Sequence, residues 1–184
     1  MSLSAVVVLV SLLAPFRSFA QAPADSLTVE AVVIRANQGV VQIRTYDAAG
    51  QQLILGSGFV APDGRVVTSA HLVAQASRVD VLGSHGEVLL TTKNAEVLHP
   101  ILDIAVLPVV PGRSKLALSS ATPSAGDQVV ALGSANGVAY LAGTGTVSGM
   151  QNIGGRSVIQ ISAPLSNGYS GGPVLNRAAE VIGM

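Results

Sequence analysis

Beyond Ala36 the chain is written in brief runs of Val, Ile, Leu and Thr, each cut off by Gly, Pro, Asn or Asp before a helix of ordinary length could form. β-Branched side chains crowd a helix and pack well on a pleated surface, so these runs read as strands. The expected set is Val40 to Tyr46, Leu53 to Val60, Arg65 to Ser69, Arg78 to Leu82, Val88 to Thr92 and Ile101 to Val109. Turns at "DAAG", "PDG" and "GSHG" separate them. A polar seam containing "PGRS" and "SSATPSAGD" precedes a second set: Gln128 to Leu132, Ala139 to Val147, Ser157 to Ser162 and Pro173 to Met184. No repeat of fixed period and no sustained helical period interrupts the pattern. An all-β chain of two small antiparallel barrels or sandwiches follows, joined near Pro111 to Ser114 and led by a helix-like or irregular segment from Ser26 to Ala36. A cleft between two such halves is a usual place for a site.

A chain of 184 residues, 49% apolar and 11% charged, can bury a substantial core. Its net charge is zero and its ten Lys and Arg are scattered from Arg17 to Arg177, so nothing tracks phosphates and nucleic acid is not an expected partner. The start, "MSLSAVVVLVSLLAPFRSFAQAPADS", sets an apolar block from Ala5 to Phe16 ahead of Ser18-Phe19-Ala20, small residues three and one before a cut. Residues 1–20 therefore read as a secretory signal peptide, although no Lys or Arg precedes the block. The block is too short to span a bilayer, which takes about 20 apolar residues. Export to the bacterial envelope or the medium is expected, with no membrane span left after cleavage. There is no cysteine, so the exported domain relies on its core rather than on disulfides.

Three residues could carry chemistry. In "SNGYSGGPVL" Ser170 stands among Gly168, Gly171 and Gly172, which suits a backbone that turns tightly and aims its N–H groups at a substrate oxygen. A plain inter-strand turn has the same composition. A serine nucleophile needs a base, and the base needs a group that fixes its tautomer. Of His71, His85 and His99, His71 stands where the strand "GRVVTSA" emerges into a turn; His85 sits in the turn "GSHG", and His99, before Pro100, suits a strand end. Asp103 interrupts the aliphatic run "ILDIAVLPVV", and on a strand there its carboxylate would need a donor, either an imidazole N–H or backbone amides. Asp47, Asp63, Asp80 and Asp127 stand beside turn signals and read as solvated.

Four segments in this order resemble the chymotrypsin-fold serine proteases, in particular the cysteine-free bacterial branch of the HtrA (DegP-like) envelope enzymes. They are "GSGFVAPDGRVVTSAHLV" (Gly56 to Val73), "DIAVLPV" (Asp103 to Val109), "NGYSGGPVLN" (Asn167 to Asn176) and "AAEVIGM" (Ala178 to Met184). The resemblance implies a double barrel of two antiparallel six-stranded-type halves across residues 39–184, after a lead at 21–38: a first barrel at about 39–110, a linker at 111–115 and a second at 116–184. It implies His71 as general base, Asp103 as its orienting carboxylate, Ser170 as nucleophile, and the N–H groups of Gly168 and Ser170 as the oxyanion hole. It implies no cofactor and no metal, and polypeptide substrates in unfolded or extended form.

Departures from the family pattern carry their own expectations. Tyr169 replaces the aspartate that in trypsin-type enzymes pairs with a freed N-terminus, so that activation is not available here. "SAPLS" has no carboxylate for a basic pocket, which leaves an apolar pocket for small or aliphatic side chains. The chain has no PDZ-like extension and stops at Met184, where the family continues with a further strand, so the second barrel is expected to be incomplete, with an open edge. The expected function is an exported serine endopeptidase working through an acyl-enzyme. The alternative is a protease-fold peptide-binding or chaperone-like protein with little turnover.

Overall fold

The computed structural model of the chain describes residues 26–135 and 138–184, so the expected signal peptide lies outside the described residues. The strand-rich reading of the chain becomes two antiparallel sheets. The first contains β1 (Val40–Tyr46), β2 (Gln52–Val60), β3 (Arg65–Ser69), β4 (Arg78–Leu82), β5 (Val88–Thr92), β6 (Val97–His99) and β7 (Ile104–Val109), in the order β5-β4-β1-β2-β3-β7-β6. The second contains β8 (Gln128–Ala135), β9 (Val138–Ile153), β10 (Arg156–Ile161), β11 (Val174–Leu175) and β12 (Val181–Gly183), in the order β10-β9-β8-β11-β12. Two short α-helices, α1 (Val29–Ala36) and α2 (Ala70–Val73), and a 3-10 turn at Asn37–Gly39 complete the described residues.

Most expected strands form, and the differences have local causes. β6 was not expected, since three residues are too few to show alternation. β9 runs well past Val147, because its hairpin with β10 turns only at Gly154 and Gly155. The last expected strand is split by a turn in which Asn176 Oδ1 accepts the N–H groups of Ala178 and Glu180, both at 2.9 Å. Of the two readings of the lead, helix-like or irregular, the helix forms, and it is capped: Thr28 Oγ1 accepts the Ala31 N–H at 3.2 Å, Glu30 stands in the first turn and Arg35 in the last. Asp80 is not solvated. It is 7% exposed on β4, accepts the Thr91 hydroxyl at 2.9 Å and faces Arg78 Nε at 3.4 Å.

Each half has its own core. Val41, Ile43, Val60, Val66, Val81 and Leu107 pack in the first; Val32, Val40, Phe59, Val130, Leu132 and Leu175 pack in the second. Because neighbours along a strand point to opposite faces, β1 sends Val41 and Ile43 one way and Val40 the other, while β2 does the same with Val60 and Phe59. One hairpin thus serves both cores. The linker is pinned to it, with the Leu116 N–H donating to the Val60 carbonyl at 2.9 Å. The outer edge of β12 is met at one residue, Val181: its N–H donates to the Ala117 carbonyl at 2.8 Å, and the Ser119 N–H donates to its carbonyl at 2.9 Å.

Candidate active site

β3 ends at Ser69 and passes directly into α2, a single turn that carries His71 on its exposed side while Ala70, Leu72 and Val73 are buried. Leu72 packs against Gly56 of β2, where an added Cβ would collide with the leucine side chain. The turn is therefore seated on the shared hairpin.

The same end of the sheet holds Asp103, although not on a strand as its aliphatic neighbours suggested. β7 starts at Ile104; Asp103 lies in the preceding turn with φ 56°, a left-handed conformation that Asp tolerates better than most residues. The turn is closed by the Asp103 N–H to the Pro100 carbonyl at 3.2 Å and by the Leu102 N–H to His99 Nδ1 at 3.1 Å. This places the carboxylate at the rim, 40% exposed rather than shielded. Oδ1 accepts the His71 backbone N–H at 2.9 Å, Oδ2 lies 2.8 Å from His71 Nδ1, and the Asp103 carbonyl accepts the Ala70 N–H at 3.1 Å. Partial burial pushes the Asp103 pKa up, but hydrogen bonds from the His71 backbone and ring, the imidazole's charge and the Ser69 hydroxyl outweigh it and hold the carboxyl below its ordinary 3.8. An ionised carboxylate only accepts, so Nδ1 carries a proton, and in the neutral imidazole Nε2 keeps a lone pair.

Ser170 comes from the other half, in the loop Ser162–Pro173 between β10 and β11. It lines a cavity of about 300 Å³ together with His71, Asp103, Leu165, Tyr169 and Met184. All three sequence-selected residues thus line one space. Gly168 has φ 105° and Gly171 φ 81°; among the described residues, the N–H groups of Gly168 and Ser170 have no acceptor. Gly171 is required sterically as well, since a Cβ there would overlap the Ser57 carbonyl and the Thr68 hydroxyl. Burial raises the Tyr169 pKa, keeping the phenol neutral. A larger apolar cavity of about 550 Å³, lined by residues including Phe59, Val158, Ile161, Val181 and Met184, opens beside the site. His85 and His99 stay apart from it: the His85 N–H donates to Glu87 at 2.9 Å, and His99 caps the Asp103 turn. No cluster of three His, Cys, Asp or Glu able to hold a metal occurs among the described residues.

Sequence reasoning missed Ser57. It is fully buried on β2, and its hydroxyl donates to the Gly168 carbonyl at 2.6 Å while accepting the Ser134 N–H at 2.8 Å. It stood in plain view in "GSGF", but a serine between two glycines carries no local signal of a partner 111 positions away.

The trypsin-like peptidase domain model matches residues 56–184. The chain is 28% identical over 174 residues to the serine protease Rv3671c of Mycobacterium tuberculosis, covering 88% of this chain and 43% of that protein. It is 37% identical over 147 residues to the mitochondrial serine protease HTRA2 of Bos taurus, covering 70% and 30%. Among solved structures, the active form of the M. tuberculosis Rv3671c protease superposes with a TM-score of 0.71 at 26% identity, covering 91% of this chain and 81% of that one. The HtrA-type protease AlgW, solved with a tripeptide, superposes with a TM-score of 0.76 at 24% identity, covering 85% and 53%. The chain spans less than half the length of the curated relatives it matches. With the family model matching well over half of the residues and the double-barrel architecture shared, this chain belongs to the family of trypsin-like peptidase domains.

Proposed function

We propose that this domain is an exported serine endopeptidase in which His71, Asp103 and Ser170 act as a triad. The observation that carries the reading is the 2.8 Å contact between His71 Nδ1 and Asp103 Oδ2, in a cavity that Ser170 also lines. Asp103 holds the imidazole in the tautomer whose Nε2 can take a proton. Ser170 Oγ attacks the scissile carbonyl carbon and passes its proton to Nε2; the carbonyl oxygen becomes an oxyanion held by the N–H groups of Gly168 and Ser170. The intermediate collapses by breaking the C–N bond, and the leaving amine takes the proton from the imidazolium. Water then attacks the acyl-enzyme with His71 as base, and Ser170 is released as the free hydroxyl.

The substrate class follows from the lining. Leu165, Val174 and Met184 give the cleft apolar walls, which suits aliphatic side chains in an extended polypeptide. Residues 1–20 direct the chain to the envelope or the medium. The test is labelling of the mature domain by a fluorophosphonate: wild type is labelled and Ser170→Ala is not. A folded wild-type sample that binds extended peptides but resists the probe would favour a binding role without turnover instead.

A further inference from the structure

The geometry points to Ser57 as a positioning residue of the oxyanion hole, a role that rests on the proposed triad. Ser57 belongs to the first half of the molecule, yet it holds the nucleophile loop of the second half at two points. Its backbone N–H donates to the Ser170 carbonyl at 2.9 Å, and its hydroxyl donates to the Gly168 carbonyl at 2.6 Å. Those bonds fix the peptide planes that follow Gly168 and Ser170. Between them lies the peptide whose N–H is that of Ser170, and across a single Cα from the first lies the N–H of Gly168. Both hole donors are therefore set by bonds that Ser57 makes on the side of the loop away from the cleft.

The remaining contacts show that Ser57 is itself held in place. Its hydroxyl accepts the Ser134 N–H at 2.8 Å, which orients the O–H toward Gly168, and its carbonyl accepts the Thr68 hydroxyl at 2.6 Å. Thr68 and Ser69 are the last residues of β3, directly ahead of α2 and His71. One buried serine thus ties the loop bearing the nucleophile to the strand that delivers the base. Gly168, with φ 105°, is the pliable point of the loop. Without the Ser57 hydroxyl its buried carbonyl loses its donor, and rotation about Gly168 swings the amide away from the position the oxyanion would occupy.

Ser57→Ala removes only the hydroxyl and keeps the backbone bonds. Rates are measured per active site, titrated with a fluorophosphonate, on a peptide substrate. The expected result is a kcat lower by about a hundredfold with KM unchanged, the signature of donors misplaced by about an ångström. In parallel, the backbone amide resonances of Gly168 and Ser170 shift or broaden while those of β1 and β4 hold. A merely structural role lowers the melting temperature and the titratable fraction but leaves kcat per titrated site intact, and that outcome overturns the assignment. Should the wild type resist the probe, the triad reading fails; the Ser57 assignment then stands or falls on the Gly168 and Ser170 resonances, whose invariance in Ser57→Ala overturns it. If Ser57→Ala does not fold, Ser57→Cys, with a weaker donor at similar size, carries the same comparison.

Discussion

Asp103 receives two hydrogen bonds from one residue, from the His71 backbone at 2.9 Å and from its ring at 2.8 Å, so it fixes the position and the tautomer of the imidazole together. Asp103→Asn separates these duties, because asparagine tolerates the left-handed φ of 56° and can still accept from the backbone. Its amide can donate to Nδ1, however, which favours the wrong tautomer. The expected result is a folded protein whose kcat falls by about four powers of ten, checked by steady-state kinetics alongside circular dichroism. The depressed pKa adds a pH signature. A carboxylate whose folded pKa lies below 3.8 contributes stability that is present above the unfolded value and is lost as pH falls through the folded one. Urea midpoints of wild type and Asp103→Asn should therefore differ at pH 6 and converge as the pH drops below 3.8; a gap that stays constant refutes the linkage. That the Asp103 carboxylate needs a donor was legible in the sequence, but its setting was not. "ILDIAVL" reads as unbroken strand on hydrophobicity alone, and only the backbone reversal shows that the acid group belongs to a rim turn.

At the scale of elements, short strands and their punctuation were legible because alternation and turn residues are local signals. The hydrogen bonds joining β2 to the loop that carries Ser170 were not, since they link positions more than a hundred residues apart. Gly171 tests that junction. Its φ of 81° penalises any Cβ, and the space a methyl would need is taken by the Ser57 carbonyl and the Thr68 hydroxyl. Gly171→Ala should cost about 2 to 5 kcal/mol in urea unfolding, from backbone strain and overpacking together. A loss under half a kcal/mol would mean that the loop has an easy alternative path. α1 offers a milder case. Thr28→Ala deletes the Oγ1 acceptor of the Ala31 N–H and should destabilise the protein by about 1 kcal/mol while leaving turnover intact, since the helix packs in the second core away from the cavity that holds Ser170.

For the molecule as a whole, the question is whether two halves with separate cores behave as separate units. The seam at Pro111 to Ser114 reads as a linker between two all-β halves; β1 and β2 deliver alternate side chains to both cores, and Leu116 is pinned to Val60. Removing the hairpin from one core removes it from the other. His71 and Asp103 are borne by the first half and Ser170 by the second, so a common hairpin also keeps the three residues of the proposed triad in register. Ile43→Ala in the first core and Leu132→Ala in the second, both side chains all but fully buried, should each cost about 2 to 5 kcal/mol. If the hairpin couples the halves, either substitution lowers the protection of the slowest-exchanging amides in β4 and β8 by the same amount, because both open only in global unfolding. Independent halves would instead show Ile43→Ala accelerating exchange in β4 alone and Leu132→Ala in β8 alone, and hydrogen exchange read by mass spectrometry separates the two outcomes.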